Sequence, residues 1–273
     1  MIVTPADAAT VILLREAQSQ TTGGFEVLMV LRSSKSAFVP GAYVFPGGKV
    51  EREDCPSSME NFCYKHDLIR ARSVLDGVSN PEKSLGIWIA AIRETFEEAC
   101  LLFARRKDGR LLSYDHNDLE MRFRSYRAGV NTGNLHFSEL LEKEELTLAI
   151  DQLHYFSHWI TPELSPLRYD TRFFVTTVPE NQKALHDGDE VTRHVWVTPT
   201  DALQKYSEQK FFMVAPTIVT LEELSRFKTI DDVLASTSNK KINGILTTLV
   251  IEHSEIEEHT PDGRIFKNPS APA

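Results

Sequence analysis

A single mixed α/β domain carrying helical insertions is the fold class that this 273-residue sequence predicts. Three observations lead there. Short apolar runs with strand character occur near the N-terminus, at Ala8–Arg15 and Phe25–Arg32, and return from His154 onward. Between them lies one long amphipathic helix, from about Ser84 to about Arg105. Neither a repeat nor a low-complexity linker divides the chain.

The elements follow in order. Gln20-Thr-Thr-Gly-Gly24 is a turn-forming run that separates the first two strands. Phe38–Gly48 reads as a loop with a strand fragment at Tyr43–Phe45. Residues 55–82 are polar and mixed, with a helix expected around Phe62–Leu75. Ser84 is the expected N-cap of the long helix. Residues 117–150 read as two further helices, with Arg122, Arg124 and Arg127 on a solvated surface. Strands are expected at Tyr155–Ile160, Thr171–Val178 and His194–Val197, then helices at Pro199–Tyr206 and Pro216–Arg226. Residues 1–230 thus form the domain, with insertions at about 55–82 and 117–150. Residues 231–273 read as a partly irregular extension containing one apolar run, Ile245–Ile251.

Hydrophobic content of 41% and charged content of 25% suit a soluble globular protein with a large core. A net charge of −9 argues against nucleic acid as partner, since phosphate backbones select clustered Lys and Arg. A phosphorylated small molecule remains compatible, because a bound divalent metal supplies local positive charge. Cys55, Cys63 and Cys100 fit neither a disulfide framework nor zinc spacing and read as thiols of a reducing compartment. No run approaches the roughly 18 apolar residues of a membrane span. A basic leader and a peroxisomal C-terminal tripeptide are both missing, so a cytoplasmic location is expected.

Chemistry concentrates in Arg93-Glu-Thr-Phe-Glu-Glu98. At about 100° per residue, Glu94, Glu97 and Glu98 share roughly one quadrant of a helix. Leu85, Trp88, Ile92, Phe96, Ala99 and Phe103 fall opposite, as in a helix half sunk into a core. Three carboxylates on a rigid element suit a hard cation such as Mg²⁺ or Mn²⁺. A solvated acidic face is the plainer alternative. Upstream, Gly47-Gly48 permits close approach of backbone to a ligand or metal.

Together these residues resemble the box of the Nudix hydrolases: Gly, five residues, Glu, seven residues, then Arg-Glu-hydrophobic-any-Glu-Glu-any-Gly-hydrophobic. Gly48, Arg93, Glu94, Glu97, Glu98 and Leu101 match it. Thr95 stands where an apolar residue is usual, and Cys100 replaces the last Gly. The first Glu position falls on Asp54, with Glu51 and Glu53 near enough to substitute, and an insertion lengthens the interval to Arg93. Loop-closure entropy grows slowly enough to allow such an insertion. Residues 25–48 and Arg168-Tyr-Asp-Thr-Arg-Phe-Phe174 are similar to the peroxisomal coenzyme A diphosphatase branch and its bacterial relatives. Of the wider coenzyme A signature the chain supplies Leu28, Arg32, Ser33, Gly41 and Phe45-Pro-Gly-Gly48, with Ala37 at the second Arg.

The resemblance implies an α/β/α sandwich with a mixed sheet, and metal-dependent cleavage of coenzyme A or acyl-coenzyme A. The alternatives keep the chemistry but take ADP-ribose, dinucleotides or nucleoside triphosphates, or reduce the fold to a nucleotide-binding scaffold. It implies that Glu94, Glu97 and Glu98 ligate Mg²⁺ or Mn²⁺, that Glu94 or Glu98 acts on the attacking water, and that Arg93 orients them. Glu190 is the candidate distant ligand and reads equally as part of a charged turn. Arg32, Lys35, Gly47 and Gly48 are the candidate substrate contacts, although Lys35 reads equally as a solvated strand end. Asp170 and Arg172 can pair structurally, and His154, His158 and His194 show no metal-ligand spacing. The expected partner is a small-molecule diphosphate, with neither nucleic acid nor membrane, and a homodimer is left open.

Overall fold

A computed structural model describes residues 2–18, 24–55, 57–73, 75, 77–78, 80–252 and 255–267. The turn expected at 20–24 lies, apart from Gly24, outside the described residues. The strands in chain order are β1 (Ala6–Glu16), β2 (Phe25–Arg32), β3 (Tyr43–Val44), β4 (Gly47–Lys49), β5 (Ala104–Arg105), β6 (Thr147–Leu148), β7 (His154–Ile160), β8 (Tyr169–Thr177) and β9 (Val191–Val197). Four more, β10 (Ile245–Leu246), β11 (Thr248–Glu252), β12 (Glu255–His259) and β13 (Ile265–Lys267), come from the C-terminal extension. The helices are α1 (Lys65–Ser73), α2 (Pro81–Ala99), α3 (Asn117–Asn131), α4 (Phe137–Lys143), α5 (Pro199–Ser207), α6 (Ala215–Leu224) and α7 (Ile230–Ser236).

The main sheet runs β10-β7-β8-β1-β2-β3, with β4 also on β1 and β9 also on β2. β1 lies parallel to β8 along its length, from Ala6 opposite Tyr169 to Leu14 opposite Thr177. Its other edge is shared. Leu14–Glu16 pair with β2, whereas Ala8–Thr10 pair with Lys49–Gly47 of β4. That division hangs Gly47 and Gly48 beside the first half of β1.

Side-chain alternation along β1 divides the interior in two. Val11 and Leu13 belong to a core with Trp88, Ile92 and Phe96 of α2 and with Phe123 and Phe137 of the 117–150 insertion. Ile12 and Leu14 belong to a second core with Ala202 of α5, Leu221 of α6 and Val233 of α7. The architecture is therefore the expected three-layer α/β/α sandwich. Trp88 is fully buried and its ring centroid lies 4.3 Å from that of Phe174. Truncating such a side chain to Ala costs about 3–5 kcal/mol.

α2 differs from its sequence-based bounds at both ends. Asn80, not Ser84, is the N-cap: its side chain accepts from the N–H groups of Glu82 and Lys83, and Pro81 occupies the first turn. Ser84 lies inside the helix and donates to the Ala71 carbonyl, at 2.5 Å. The helix stops at Ala99 because Cys100 adopts a left-handed conformation (φ 61°) and donates to the Phe96 carbonyl. Leu101, Leu102 and Phe103 are apolar because they enter the core, not because the helix continues. In the extension β10 joins the main sheet beside β7 and β11–β13 form a sheet of their own, with residues 237–244 between α7 and β10 irregular. Among the described residues no helix is long and apolar enough to cross a membrane.

Candidate active site

The last turn of α2 meets β4. Glu98 is 3% exposed, and its Oε2 accepts a hydrogen bond from the Gly47 N–H at 2.8 Å. Its Oε1 lies 3.9 Å from Nη1 of Arg32. The Glu94 carboxylate rests on Gly48 so closely that a Cβ there would come within 2.5 Å of the carboxyl carbon. A Cβ on Gly47, whose φ is +155°, would overlap the Ala9 carbonyl. Both glycines are thus required by close approach, one to β1 and one to Glu94.

Arg93 organises the same turn. Its Nε and Nη2 bind both oxygens of Asp54 at 2.9 Å, a two-point ion pair buried on both sides. Nη1 reaches Glu94 at 2.9 Å and Glu97 at 3.2 Å, and Nη2 also donates to the Lys49 carbonyl at 2.9 Å. Asp54 itself accepts from the Glu51 N–H at 2.8 Å, which closes a single turn of 3-10 helix over Arg52–Asp54. That turn approaches α2 at Gly86, where any side chain would collide with the Cys55 sulfur. Glu51 pairs instead with Lys49 at 2.9 Å, and the exposed Glu53 lies 3.3 Å from His136. Asp54 alone of the three acids holds Arg93.

Crowding and burial shape the electrostatics. Burial pushes the Glu94 carboxyl up to about 7; Arg93 opposes this and Glu97 adds to it. Burial, with the Glu94 charge second, drives Glu98 well above the usual carboxylate range, while the Gly47 N–H and Arg32 pull it back. Glu97 is raised too, chiefly by burial and against the pull of Arg93. Among the described residues no three acidic, His or Cys side chains converge as a ready-made metal cage. Arg93 occupies one oxygen of Glu94 and one of Glu97, and Gly47 one of Glu98. The donor set nevertheless fits a hard divalent cation, being all oxygen, rigidly backed and short of positive charge.

Of these groups Gly47, Gly48, Lys49, Glu51 and Glu94 line one end of a cleft of about 490 Å³ that crosses the sheet on the α5–α7 side, whereas Glu97 and Glu98 are not among its lining residues. Arg32 lines it, fixed by Ser36 at 2.8 Å, the Phe38 carbonyl at 3.1 Å and Glu190 at 3.1 Å. Glu190 therefore does reach the cleft, beside Arg32. Lys35 is exposed and is not among the lining residues; Lys49 supplies the lysine there instead. On β8 the alternation sends Tyr169, Thr171 and Phe173 into the cleft. Arg172, 2% exposed, pairs with Asp170 at 2.7 Å, and Asp170 also meets His158. His194 lies against His186, with 2.8 Å between their Nδ1 atoms.

Two features escaped the sequence reading. Arg127 is buried, not solvated: it donates to the carbonyls of Glu97 at 2.7 Å, Glu98 at 3.3 Å and His186 at 3.5 Å. It thereby caps the end of α2 that carries the acids. The other is the far wall of the cleft, where Thr247, Leu249 and Glu258 come from the C-terminal extension. No local signal marks either, because their partners lie far away in the chain.

A sequence profile described as the NUDT19 Nudix domain matches residues 6–86 and 81–226. The chain is 28% identical over 255 residues to the acyl-coenzyme A diphosphatase NUDT19 of Xenopus laevis, covering 83% of this chain and 67% of that protein. It is 25% identical over 250 residues to the human protein of the same name, covering 81% of this chain and 66% of that one. It spans about two thirds of the length of these relatives. Among solved structures, a NUDIX hydrolase from Alicyclobacillus acidocaldarius superposes with a TM-score of 0.69 at 23% identity, over 88% of this chain and 100% of that one.

Proposed function

Because this chain belongs to the NUDT19 Nudix domain family, we propose that it is a metal-dependent diphosphatase. Its substrate in this reading is coenzyme A or an acyl-coenzyme A, cleaved to 3′,5′-ADP and (acyl-)phosphopantetheine. The observation that carries the reading is the meeting of Glu94 and Glu98 with Gly47-Gly48 at one end of a long cleft. The names of the relatives and the signature over Leu28–Gly48 support the choice of substrate.

Glu94, Glu97 and Glu98, with Glu190 beside Arg32 at the same end of the cleft, would hold Mg²⁺ or Mn²⁺. The chemistry that such ions supply when bound is polarisation of phosphoryl oxygens and acidification of a water. The residues of the chain do the rest. Arg93 and Asp54 lock the carboxylates in direction, so that little reorganisation accompanies reaction. Arg32 presents its guanidinium to a phosphate oxygen from a position already fixed by Ser36 and Phe38. Glu94 or Glu98 takes the proton of the attacking water, being the two carboxylates nearest the glycine pair.

The test is a substrate panel: coenzyme A, an acyl-coenzyme A, ADP-ribose, a dinucleoside polyphosphate and a nucleoside triphosphate, each with Mg²⁺, Mn²⁺ and chelator. Coenzyme A turnover that chelator abolishes is the expected result. Brisk ADP-ribose turnover without coenzyme A turnover overturns the substrate, and no turnover of any compound overturns the enzyme.

A further inference from the structure

The cleft has a second charged wall that the reaction leaves unused. From β4 at the acidic end, strands β1, β8, β7 and β10 lead across the sheet to Thr247, which directly follows β10. Four strand spacings of about 4.8 Å put the two ends roughly 19 Å apart. At the far end Glu258 sits between Leu249 and Phe266 in register on the small sheet, 6% exposed. Its Oε1 accepts a hydrogen bond from the Thr247 hydroxyl at 2.6 Å. Beside it the cleft is lined by Leu249, opposite Glu258 in the register, and by Trp159 of β7, which lies opposite Ile245 of β10.

Burying a carboxylate among such residues costs free energy that one hydroxyl does not return. Burial indeed pushes the Glu258 carboxyl up, opposed by Thr247 and by no cation among the described residues. An apolar side chain would serve the fold better at this position. A buried acceptor that faces a cleft and lacks a charged partner is suited to a ligand that brings a donor.

We propose that Glu258, steadied by Thr247, is a specificity-determining residue that accepts a hydrogen bond from an N–H or O–H group on the part of the substrate beyond the diphosphate. The inference rests on the diphosphate lying at Glu94–Glu98. A carboxylate repels phosphate, so the 3′-phosphate of coenzyme A is excluded from this end. The shared chemistry that fits is a neutral donor, found in the pantetheine amides and hydroxyl and in the exocyclic amine of adenine.

Steady-state kinetics of the full chain with Mg²⁺ separate these sources, using coenzyme A and ADP-ribose, which keeps adenine but lacks pantetheine. Glu258→Leu should raise KM for coenzyme A about tenfold, with kcat held within about twofold. Glu258→Gln, which keeps one acceptor, and Thr247→Val, which frees the carboxylate, should each raise it about threefold. A rise confined to coenzyme A assigns the donor to pantetheine, and a rise with both substrates assigns it to adenine. Unchanged KM for every substrate, or equal loss of kcat for both, overturns the inference. Thermal melts identify a Leu variant that fails to fold, in which case the Gln and Val variants decide. If the wild type hydrolyses ADP-ribose alone, the coenzyme A reading fails while Glu258 is still judged on the KM for ADP-ribose. If neither substrate is turned over, the same comparison is made on calorimetric Kd values with Ca²⁺ in place of Mg²⁺.

Discussion

The two ends of the cleft are built on opposite plans. At the α2 end, three carboxylates surround Arg93 and a fourth, Glu98, accepts from Gly47, while the backbone of Gly48 is drawn in against Glu94. Position is set there by many mutually supporting contacts. At the C-terminal end a single carboxylate leans on a single hydroxyl within an apolar wall. The first plan tolerates no displacement, as suits groups that must hold a reacting diphosphate. The second leaves one acceptor to choose among ligands. Perturbing the first end should therefore change the rate, and perturbing the second the affinity.

The sharpest break comes at Glu98. Glu98→Gln keeps the shape and the bond from Gly47 but removes the charge, and kcat should fall by about a thousandfold or more. Far-UV circular dichroism and the melting temperature should stay near wild type. Normal turnover by the folded variant would remove Glu98 from the site. Gly48→Ala is next. The added methyl would press on the Glu94 carboxyl, and displacement of about 1 Å costs on the order of a hundredfold in rate. An intact rate in this variant would show that Glu94 can move without consequence, contrary to the plan of this end.

Arg127 tests how far that rigidity extends. Arg127→Met keeps the aliphatic stem but abandons the carbonyls of Glu97 and Glu98 at a buried helix end. The expected cost is about 2 kcal/mol in urea unfolding, with a severalfold fall in kcat as the acidic turn loosens. Loss of stability with unaltered kcat would confine Arg127 to the fold.

How much of this could be read from residues alone follows the same division. The acidic turn was visible because its chemistry lies within six consecutive residues of one helix, where periodicity assigns faces. Its upstream partner Gly48 came with it, and so did the sandwich. The start of α2 carried its own signal, Asn80-Pro81, which the apolar pattern beginning near Ser84 concealed. Its end carried one too, since Cys100 stands at the last Gly of the box and takes the left-handed conformation that Gly favours, but the apolar run Leu101–Phe103 concealed it. Arg127 reads as a surface residue in the sequence because its partners are backbone carbonyls of a different helix. The wall at Glu258 depends on β10 pairing with β7, across more than eighty residues of chain, and no spacing rule reaches that far.

The strand that floors the cleft between its two ends offers the smallest effect. Burial alone would raise the Asp170 carboxyl, but the hydrogen bond with His158 and the charge of Arg172 outweigh it and hold it below the usual value. A carboxylate so depressed stabilises the fold fully above its unfolded pKa of about 3.9 and loses that contribution as pH falls through its lower folded value. Asp151 beside Arg105 is depressed as well, so the acid limb of the wild type alone does not isolate Asp170. Asp170→Asn does. Urea midpoints should favour the wild type from pH 7 to pH 5, and its lead should shrink as the pH is taken toward 3. A lead that stays constant over that range would mean that Asp170 acts on the fold by shape and not by charge. Because Asp170 and Arg172 face away from the cleft, KM for the substrate should not follow this change at either end.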